Sequence, residues 1–204
     1  SINGNTVMIT NYPIMDLNED IVRKPGKAIC FAGGITEQYN HHKILKAIED
    51  INDIKYLLAG SGTDEYLSKL KALPAWEKVE YKGRIPHSEV KELYSKSVAG
   101  MAIHYSTQAK ERGSLGGIKF FEFMEAKLPV ICSDYELMKE IIKKYNCGIC
   151  VNVNNVLEIK NAINYILDNP DKARIMGENG RRAVIEKYNW ATQEMILLEL
   201  YKKL

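Results

Sequence analysis

Short runs of consecutive apolar residues alternate along the chain with longer segments in which apolar residues recur at helical spacing. The runs predict strands at Val7–Thr10, Ala28–Ala32, Ile54–Ala59, Val79–Lys82, Val98–His104, Pro129–Cys132 and Gly148–Val151. The intervening segments predict helices at Asn40–Ile51, Asp64–Leu73, Ser88–Ser95, Gly117–Ala126, Glu136–Tyr145 and Val156–Leu167. Unbroken apolar runs favour strands that are covered on both faces. The alternation therefore predicts an α/β fold, a Rossmann-like parallel sheet of about six strands with helices on both faces.

In the last third of the chain, the spacing of apolar residues predicts only helices. Asp171–Tyr188 is predicted to be one helix that is interrupted near Gly177 and Gly180, and Trp190–Leu204 is predicted to be a second. One stripe of the second helix is apolar and consists of Met195, Leu198 and Tyr201. The pattern thus predicts C-terminal helices that cap the sheet.

No linker, repeat or low-complexity stretch divides the chain, so we predict a single domain over residues 1–204. A strand-like run, Val7–Thr10, already stands close to the first residue. We therefore expect this domain to be excised from a longer, two-domain protein.

Composition and charge limit the classes of function. Hydrophobic residues make up 46% of the chain and charged residues 26%, and the formal net charge is +2. These values are typical of a soluble globular protein, and no concentrated basic stripe indicates nucleic-acid binding. The short basic runs Lys143-Lys144 and Arg181-Arg182 are expected on solvated helix faces. No secretory signal and no apolar run of roughly 20 residues is present, so we expect a cytoplasmic protein.

The four cysteines fit a reducing compartment better than a disulfide framework. Cys30 and Cys132 lie inside apolar runs, where a free thiol behaves as a small hydrophobic group. Cys147 and Cys150 have the spacing of a redox or zinc pair, but no second pair completes a ligand set. We interpret this segment as the start of a strand.

Glycines stand where several of the predicted strands end. They occur at Gly33-Gly34, at Gly60–Gly62, at Gly83 and in the loop Gly113–Gly117. Ligands of open parallel sheets bind beyond the carboxyl ends of the strands, where glycine lets backbone N–H groups approach an anion. Tight turns account for the first three sites. The last loop precedes a helix and is flanked by basic residues, so it is predicted to cradle a diphosphate.

Other nucleotide and hydrolase motifs are absent. The chain has neither the spacing of a dinucleotide fingerprint nor a Walker A loop, and it has no nucleophile elbow. Its histidines, His41, His42, His87 and His104, have no obvious orienting carboxylates. His41 and His42 are expected to be exposed at a helix start.

The segment Lys119–Ile131 carries the most specific pattern. It reads KFFEFMEAKLPVI, which has the form K-x-x-E-x-M-x-x-x-x-P-V-I, and Ser133 follows it. This pattern resembles the donor-binding domain of glycosyltransferases of the GT-B fold, of the retaining family 4 type. Weaker similarities occur in the family's order at Thr10–Pro13, Leu58–Gly62, Val79–His87, Leu93–Ser95 and Tyr188–Trp190. The resemblance thus covers nearly the whole chain.

The resemblance implies roles for individual residues. Glu122 matches a glutamate that accepts hydrogen bonds from the donor's ribose hydroxyls, and a carboxylate suits a vicinal diol. Gly117 and Ile118 match positions whose backbone N–H groups hold the distal phosphate, and the Gly83–Ile85 turn would lie near the base. The expected donor-binding residues are Gly34, Arg84, Ile85, Ser114, Gly116, Gly117, Ile118, Lys119 and Glu122. No catalytic residue and no metal ligand is assigned.

The chain departs from the family at two places. Many members have a second glutamate at the position of Ser114, where it meets the sugar, so recognition of a particular sugar is not implied. Their first βα loop brings an arginine and a lysine to the diphosphate, whereas Ile35–Asn40 holds no cation here. A cation should stabilise the leaving diphosphate, because no Asp-x-Asp metal motif is present. The candidates are Lys43, Arg84, Arg112 and Lys119.

The resemblance implies an enzyme that transfers a sugar from a nucleotide-diphosphate donor to a sugar or lipid-linked acceptor, with retention of configuration. This chain would bind the donor without a cofactor or metal and turn over poorly without its N-terminal acceptor half. Polysaccharide biosynthesis is the expected setting, and peripheral membrane association of the full-length enzyme stays open. The alternatives are a nucleotide-sugar 2-epimerase and a non-catalytic nucleotide-binding domain.

Overall fold

A six-stranded, all-parallel sheet forms the centre of the computed structural model, which describes residues 7, 9–15, 22–105 and 117–202. Its strand order is β3-β2-β1-β4-β5-β6. The strands are β1 (Ala28–Gly34), β2 (Lys55–Ser61), β3 (Val79–Gly83), β4 (Ala99–Ala102), β5 (Val130–Ser133) and β6 (Gly148–Val151). The predicted α/β fold with helices around a parallel sheet is confirmed.

Eight α-helices and two short 3-10 turns connect or follow these strands within the described residues. The helices are α1 (His41–Ile48), α2 (Asp64–Lys71), α3 (His87–Ser95), α4 (Lys119–Glu125), α5 (Glu136–Tyr145), α6 (Val156–Asp168), α7 (Pro170–Glu186) and α8 (Trp190–Tyr201). The 3-10 turns are Glu37–Tyr39 and Pro74–Lys78. The predicted bounds of these helices and strands differ from the observed ones by a few residues at most.

Two apolar cores lie on opposite faces of the sheet. Successive residues of β1 point to opposite faces of the sheet and so enter different cores. Ile29 and Phe31 point into the core that contains α1, α2 and α6, and Cys30 points into the core that contains α3, α4 and α5. Both faces of β1 are therefore buried, as its unbroken apolar run predicted. The order of the strands places β1 and β4 side by side, although β2 and β3 lie between them in the chain. The crevice at their carboxyl ends is the usual ligand site of such sheets.

The first predicted strand, Val7–Thr10, is wrong. Its described residues Val7, Ile9 and Thr10 lie outside the sheet. The segment follows the last helix instead: the N–H of Thr10 donates to Oε1 of Gln193 at 2.8 Å, and the N–H of Trp190 donates to the carbonyl of Pro13 at 2.9 Å. An extended backbone needs hydrogen-bond partners, and here α8 supplies them rather than a neighbouring strand.

The predicted interruption of the long C-terminal helix is also wrong, because α7 runs unbroken through Gly177 and Gly180. A Cβ placed on Gly177 would lie 2.0 Å from the carbonyl oxygen of Lys127, and one on Gly180 would lie 3.3 Å from Met124. The glycines therefore allow α7 to pack closely against α4 and the turn that follows it. They do not break the helix.

One prediction about side-chain burial is corrected, and the apolar stripe of α8 proves to be exposed. Arg181, expected on a solvated face, is buried, and its Nη1 donates to the carbonyl of Glu125 at 3.1 Å at the end of α4. The stripe of α8 (Met195, Leu198 and Tyr201) is exposed, with Tyr201 66% accessible. A charged side chain can be buried when it caps a helix end, since the last carbonyls of a helix lack partners of their own.

The cysteines are all free thiols, and three of them are buried. Cys150 faces Cys132 across the β5–β6 pair, with 3.7 Å between the sulfur atoms. The interpretation of Cys147–Cys150 as the start of a strand is confirmed, because β6 begins between them.

His41 is buried, contrary to the expected exposure of the His41-His42 pair. It lies on the same stripe of α1 as Ile44, Leu45 and Ile48, and its Nδ1 lies 2.9 Å from the hydroxyl oxygen of Tyr56. Burial, with a smaller contribution from the charge of His42, lowers the pKa of His41 to about 3. The imidazole is therefore neutral at physiological pH.

This buried imidazole should make the protein less stable in mild acid. The unfolded chain binds a proton at His41 below pH 6.5, and the folded chain does not until about pH 3. Stability should thus fall as the pH falls, by about 2 kcal/mol from this group between pH 7 and pH 5. Urea unfolding at the two pH values measures the loss. His41→Gln should reduce this pH dependence by about the same amount, and His87→Gln, at the exposed start of α3, is the matched control. Equal slopes in all three proteins would contradict this assignment.

Candidate functional site

Glu122 is one of three charged residues of α4, whose other four residues are apolar. Its neighbours Phe120, Phe121 and Phe123 are buried in the core between the sheet, α3 and α7. These aromatic side chains fix the position of α4 at the crevice between β1 and β4. The side chain of Glu122 lies at this crevice and is partly accessible to solvent.

Two donors orient the Glu122 carboxylate. The hydroxyl of Tyr94 donates to Oε2 at 3.0 Å, and the ammonium group of Lys119 donates to the same oxygen at 2.7 Å. Among the described residues no hydrogen bond reaches Oε1. A charge-assisted pair of this kind is strong when partly buried, and the side chains of Lys119 and Glu122 are only 23% and 16% exposed. Oε1, to which no described residue donates, could accept a hydrogen bond from a hydroxyl group of a ligand.

Lys119 joins the start of α4 to the end of β1. A Cβ placed on Gly33 would lie 3.2 Å from Cε of Lys119, so the lysine stem crosses directly over this glycine. Any side chain at position 33 would press on the lysine. The structure therefore brings Lys119, Glu122 and the Gly33-Gly34 strand end together, as expected for one site.

Gly117 and Ile118 precede α4 at the same edge of the sheet. Gly117 has a φ of 111°, which disfavours residues with a Cβ, and the carbonyl of Ile118 accepts the N–H groups of Phe121 and Glu122. The N–H groups at the start of a helix have no partner within the helix and point outward. Ser114, Gly116 and Arg112 lie outside the described residues, so their places in the site stay predictions.

Tyr39 lies beside the candidate site, a position that the sequence did not reveal. It ends the 3-10 turn after β1, and a Cβ placed on Gly117 would lie 3.9 Å from its hydroxyl oxygen. Its ring packs on Phe31 and His104, with ring centroids 4.8 Å and 5.2 Å apart. In the sequence, Ile35–Asn40 is distinguished only by its lack of a cation. A tyrosine in a turn that follows a strand is the sequence feature from which Tyr39 could have been predicted.

His104 and Ser133 tie together the ends of β4 and β5. The Ser133 hydroxyl accepts from the His104 N–H at 2.8 Å and donates to the His104 carbonyl at 2.7 Å. Burial lowers the pKa of His104, so its imidazole is neutral and faces Tyr39. These two hydrogen bonds fix the position of the chain where it leaves β4 at the crevice.

The other described residues that the sequence predicted for the site have their contacts outside the crevice at Glu122. Nε of Arg84 donates to the Ser61 hydroxyl at 3.2 Å at the end of β2, and Lys43 binds the side chain of Asn154 at 2.8 Å. Ile85 lines a groove of about 510 Å³ along the β2–β3 side of the sheet rather than the crevice at Glu122. The described contacts thus do not join Arg84 or Ile85 to Glu122 or Lys119.

The fold is that of an α/β domain of the doubly wound class, with a crevice at the carboxyl ends of β1 and β4. Residues 17–183 match the family described as glycosyl transferases group 1, and the chain belongs to that family. Over 187 residues it is 28% identical to an uncharacterized glycosyltransferase of Methanocaldococcus jannaschii, a match that covers 89% of this chain and 46% of the relative. The chain thus spans about half the length of the curated relatives that it matches most fully.

Solved structures show the same fold. A sucrose-phosphate synthase of Thermosynechococcus elongatus superposes with a TM-score of 0.70 at 21% identity, over 96% of this chain and 51% of that one. The Anabaena protein HepE, determined in complex with UDP-glucose, superposes with a TM-score of 0.73 at 15% identity, over 87% of this chain and 49% of that one. These matches confirm the predicted resemblance to GT-B glycosyltransferases.

Two properties of the described residues bear on partners. None of the described helices is long and apolar enough to cross a membrane. No group of three or more His, Cys, Asp or Glu side chains in the described ranges is arranged to hold a metal ion. The expected independence of cofactor and metal stays a prediction.

Proposed function

We propose that this chain is the donor-binding half of a glycosyltransferase and holds a nucleotide-diphosphate sugar in the crevice between β1 and β4. The observation that carries the proposal is the oriented Glu122 carboxylate. Tyr94 and Lys119 hold one of its oxygens, and the other is available to a ribose hydroxyl. Family membership and the likeness to a protein determined with UDP-glucose support the assignment.

The diphosphate would lie between α4 and the end of β1. The backbone N–H groups of Gly117 and Ile118 precede α4, and Lys119 crosses Gly33 at the same place. Backbone donors and a lysine ammonium are suited to a group that gains negative charge as it leaves. In this proposal the protein's part in catalysis is to position the donor and stabilise its departing diphosphate, with no metal ion and no cofactor.

The acceptor side would come from the part of the enzyme that this chain does not contain. The curated relatives are about twice as long as the matched segment, and no catalytic acid, base or nucleophile is assigned in this half. We propose that a second, N-terminal domain binds a sugar or lipid-linked acceptor and that transfer retains configuration. Polysaccharide synthesis on the cytoplasmic side of a membrane is the setting that we propose for the whole enzyme.

Calorimetric titration of this chain with UDP, GDP and ADP tests the donor site. We expect one diphosphate to bind more tightly than the other two, because a donor enzyme reads the base as well as the phosphates. The affinity should be the same in EDTA and in MgCl₂, since the proposed site uses protein donors in place of a metal. A failure of all three nucleotides to bind at millimolar concentration would refute the proposed donor site.

A further inference from the structure

Tyr39 places a hydroxyl group beside the proposed diphosphate position without an evident structural use for it. The oxygen lies next to Gly117, and no hydrogen bond joins it to another described residue. A phenylalanine would pack on Phe31 and His104 equally well, because only the ring makes those contacts. The hydroxyl therefore adds a donor to the crevice and nothing to the core.

The turn that carries Tyr39 is held in place by its neighbours. Asn40 adopts the left-handed conformation with a φ of 51°, and the N–H of Tyr105, beyond the end of β4, donates to the carbonyl of Gln38 at 2.7 Å. The turn is thus attached to both strands that border the crevice. Such attachment lowers the entropic cost of fixing a side chain against a ligand.

Cations in the described part of the crevice are few. Lys119 is shared with Glu122, Arg84 binds Ser61 and Lys43 binds Asn154. A diphosphate presents several oxygens, so neutral donors should supplement the lysine. The ring of Tyr39 is half-buried, and burial together with the charge of Glu122 raises the pKa of its hydroxyl. The group is therefore protonated and a donor at neutral pH.

We propose that the Tyr39 hydroxyl donates a hydrogen bond to the distal phosphate of the nucleotide donor, from the βα turn that contains no cation. This role rests on the proposed function and makes Tyr39 a donor-binding residue that distinguishes a diphosphate from a monophosphate. The neighbouring backbone at Gly117 and the Lys119 ammonium complete the set of donors around that phosphate.

The test compares Tyr39→Phe with the unchanged chain by calorimetry. The ligands are the best-bound of UDP, GDP and ADP and the monophosphate of the same base. Tyr39→Phe should bind the diphosphate about tenfold more weakly, the loss expected for one hydrogen bond to a charged acceptor. Its affinity for the monophosphate and its melting temperature should not change. Tyr66→Phe is the matched control, because it removes a hydroxyl near the same turn that faces His42 instead.

The outcomes separate this inference from the proposed function. If the unchanged chain binds no nucleoside diphosphate, the proposed function fails and the role of Tyr39 fails with it. If it binds one and Tyr39→Phe binds it equally well, only the role of Tyr39 is overturned. An equal loss for diphosphate and monophosphate would likewise overturn it, because the hydroxyl would then act elsewhere than on the distal phosphate.

Discussion

Replacing Glu122 with glutamine should weaken binding of the preferred nucleoside diphosphate about 30- to 100-fold. The amide keeps the size of the side chain but accepts weaker hydrogen bonds from a ribose diol, and charge-assisted bonds contribute about 2–3 kcal/mol. Calorimetry measures the loss directly. Because Glu122 also holds Lys119, a part of the loss should come from a lysine that is no longer fixed over Gly33.

The matched control is Glu49→Gln, an exposed glutamate just beyond the end of α1, away from the crevice. It changes the net charge by the same amount and should leave affinity unchanged. A Glu122→Gln chain that binds the nucleotide as tightly as the unchanged protein would remove the central support for the donor site. It would favour the alternative of a nucleotide-binding or scaffold domain that does not read the ribose in this way.

Gly177→Ala should destabilise the protein by at least about 2 kcal/mol, although alanine is the better helix former. The added Cβ would lie 2.0 Å from the carbonyl oxygen of Lys127, so α7 and the turn after α4 would have to separate. The same carbonyl accepts a hydrogen bond from Arg23 at 2.8 Å, which restricts how it can move. Urea unfolding followed by circular dichroism measures the change.

Gly180→Ala, one turn further along α7, is the comparison for this effect. Its Cβ would meet Met124 at 3.3 Å, a distance that a small adjustment can relieve, so the change in stability should be clearly smaller. An equal change in stability for the two substitutions, or a gain for both from the better helix propensity of alanine, would contradict the role of the contact with the Lys127 carbonyl. Displacement of α4 in Gly177→Ala should also weaken nucleotide binding, since that helix carries Glu122.

The fold was predictable from the sequence because β1, β4 and β5 are unbroken apolar runs between helical segments. Their burial on both faces leaves few arrangements other than a covered parallel sheet. Val7–Thr10 shows the limit of this signal. A short apolar run can pair with a strand or lie along a helix, and hydrogen bonds from residues far along the chain decide between the two.

The candidate site was predictable in part. Glu122 and Lys119 stand in a specific pattern, and the structure places both at the crevice. Tyr39 was missed because its role depends on the approach of the β1 turn to Gly117, a contact between distant parts of the chain. His41 was misjudged for another reason: residue type suggested exposure, whereas the spacing with Ile44 and Ile48 already placed it on the buried stripe of α1. The helical spacing of the apolar residues was therefore a better predictor of the burial of His41 than its residue type.

The close packing of α7 on α4 has a consequence for biosynthesis. The chain leaves the ribosome from its amino end, so α4 and the whole sheet through β6 emerge before α7 does. Until then the contacts that Gly177 and Gly180 make with α4 and the turn after it are missing, and Arg181 does not cap the last turn of that helix. Glu122 should therefore reach its final position among the last events of synthesis, and a nascent chain that stops short of Pro170 would present the strands without a completed candidate site.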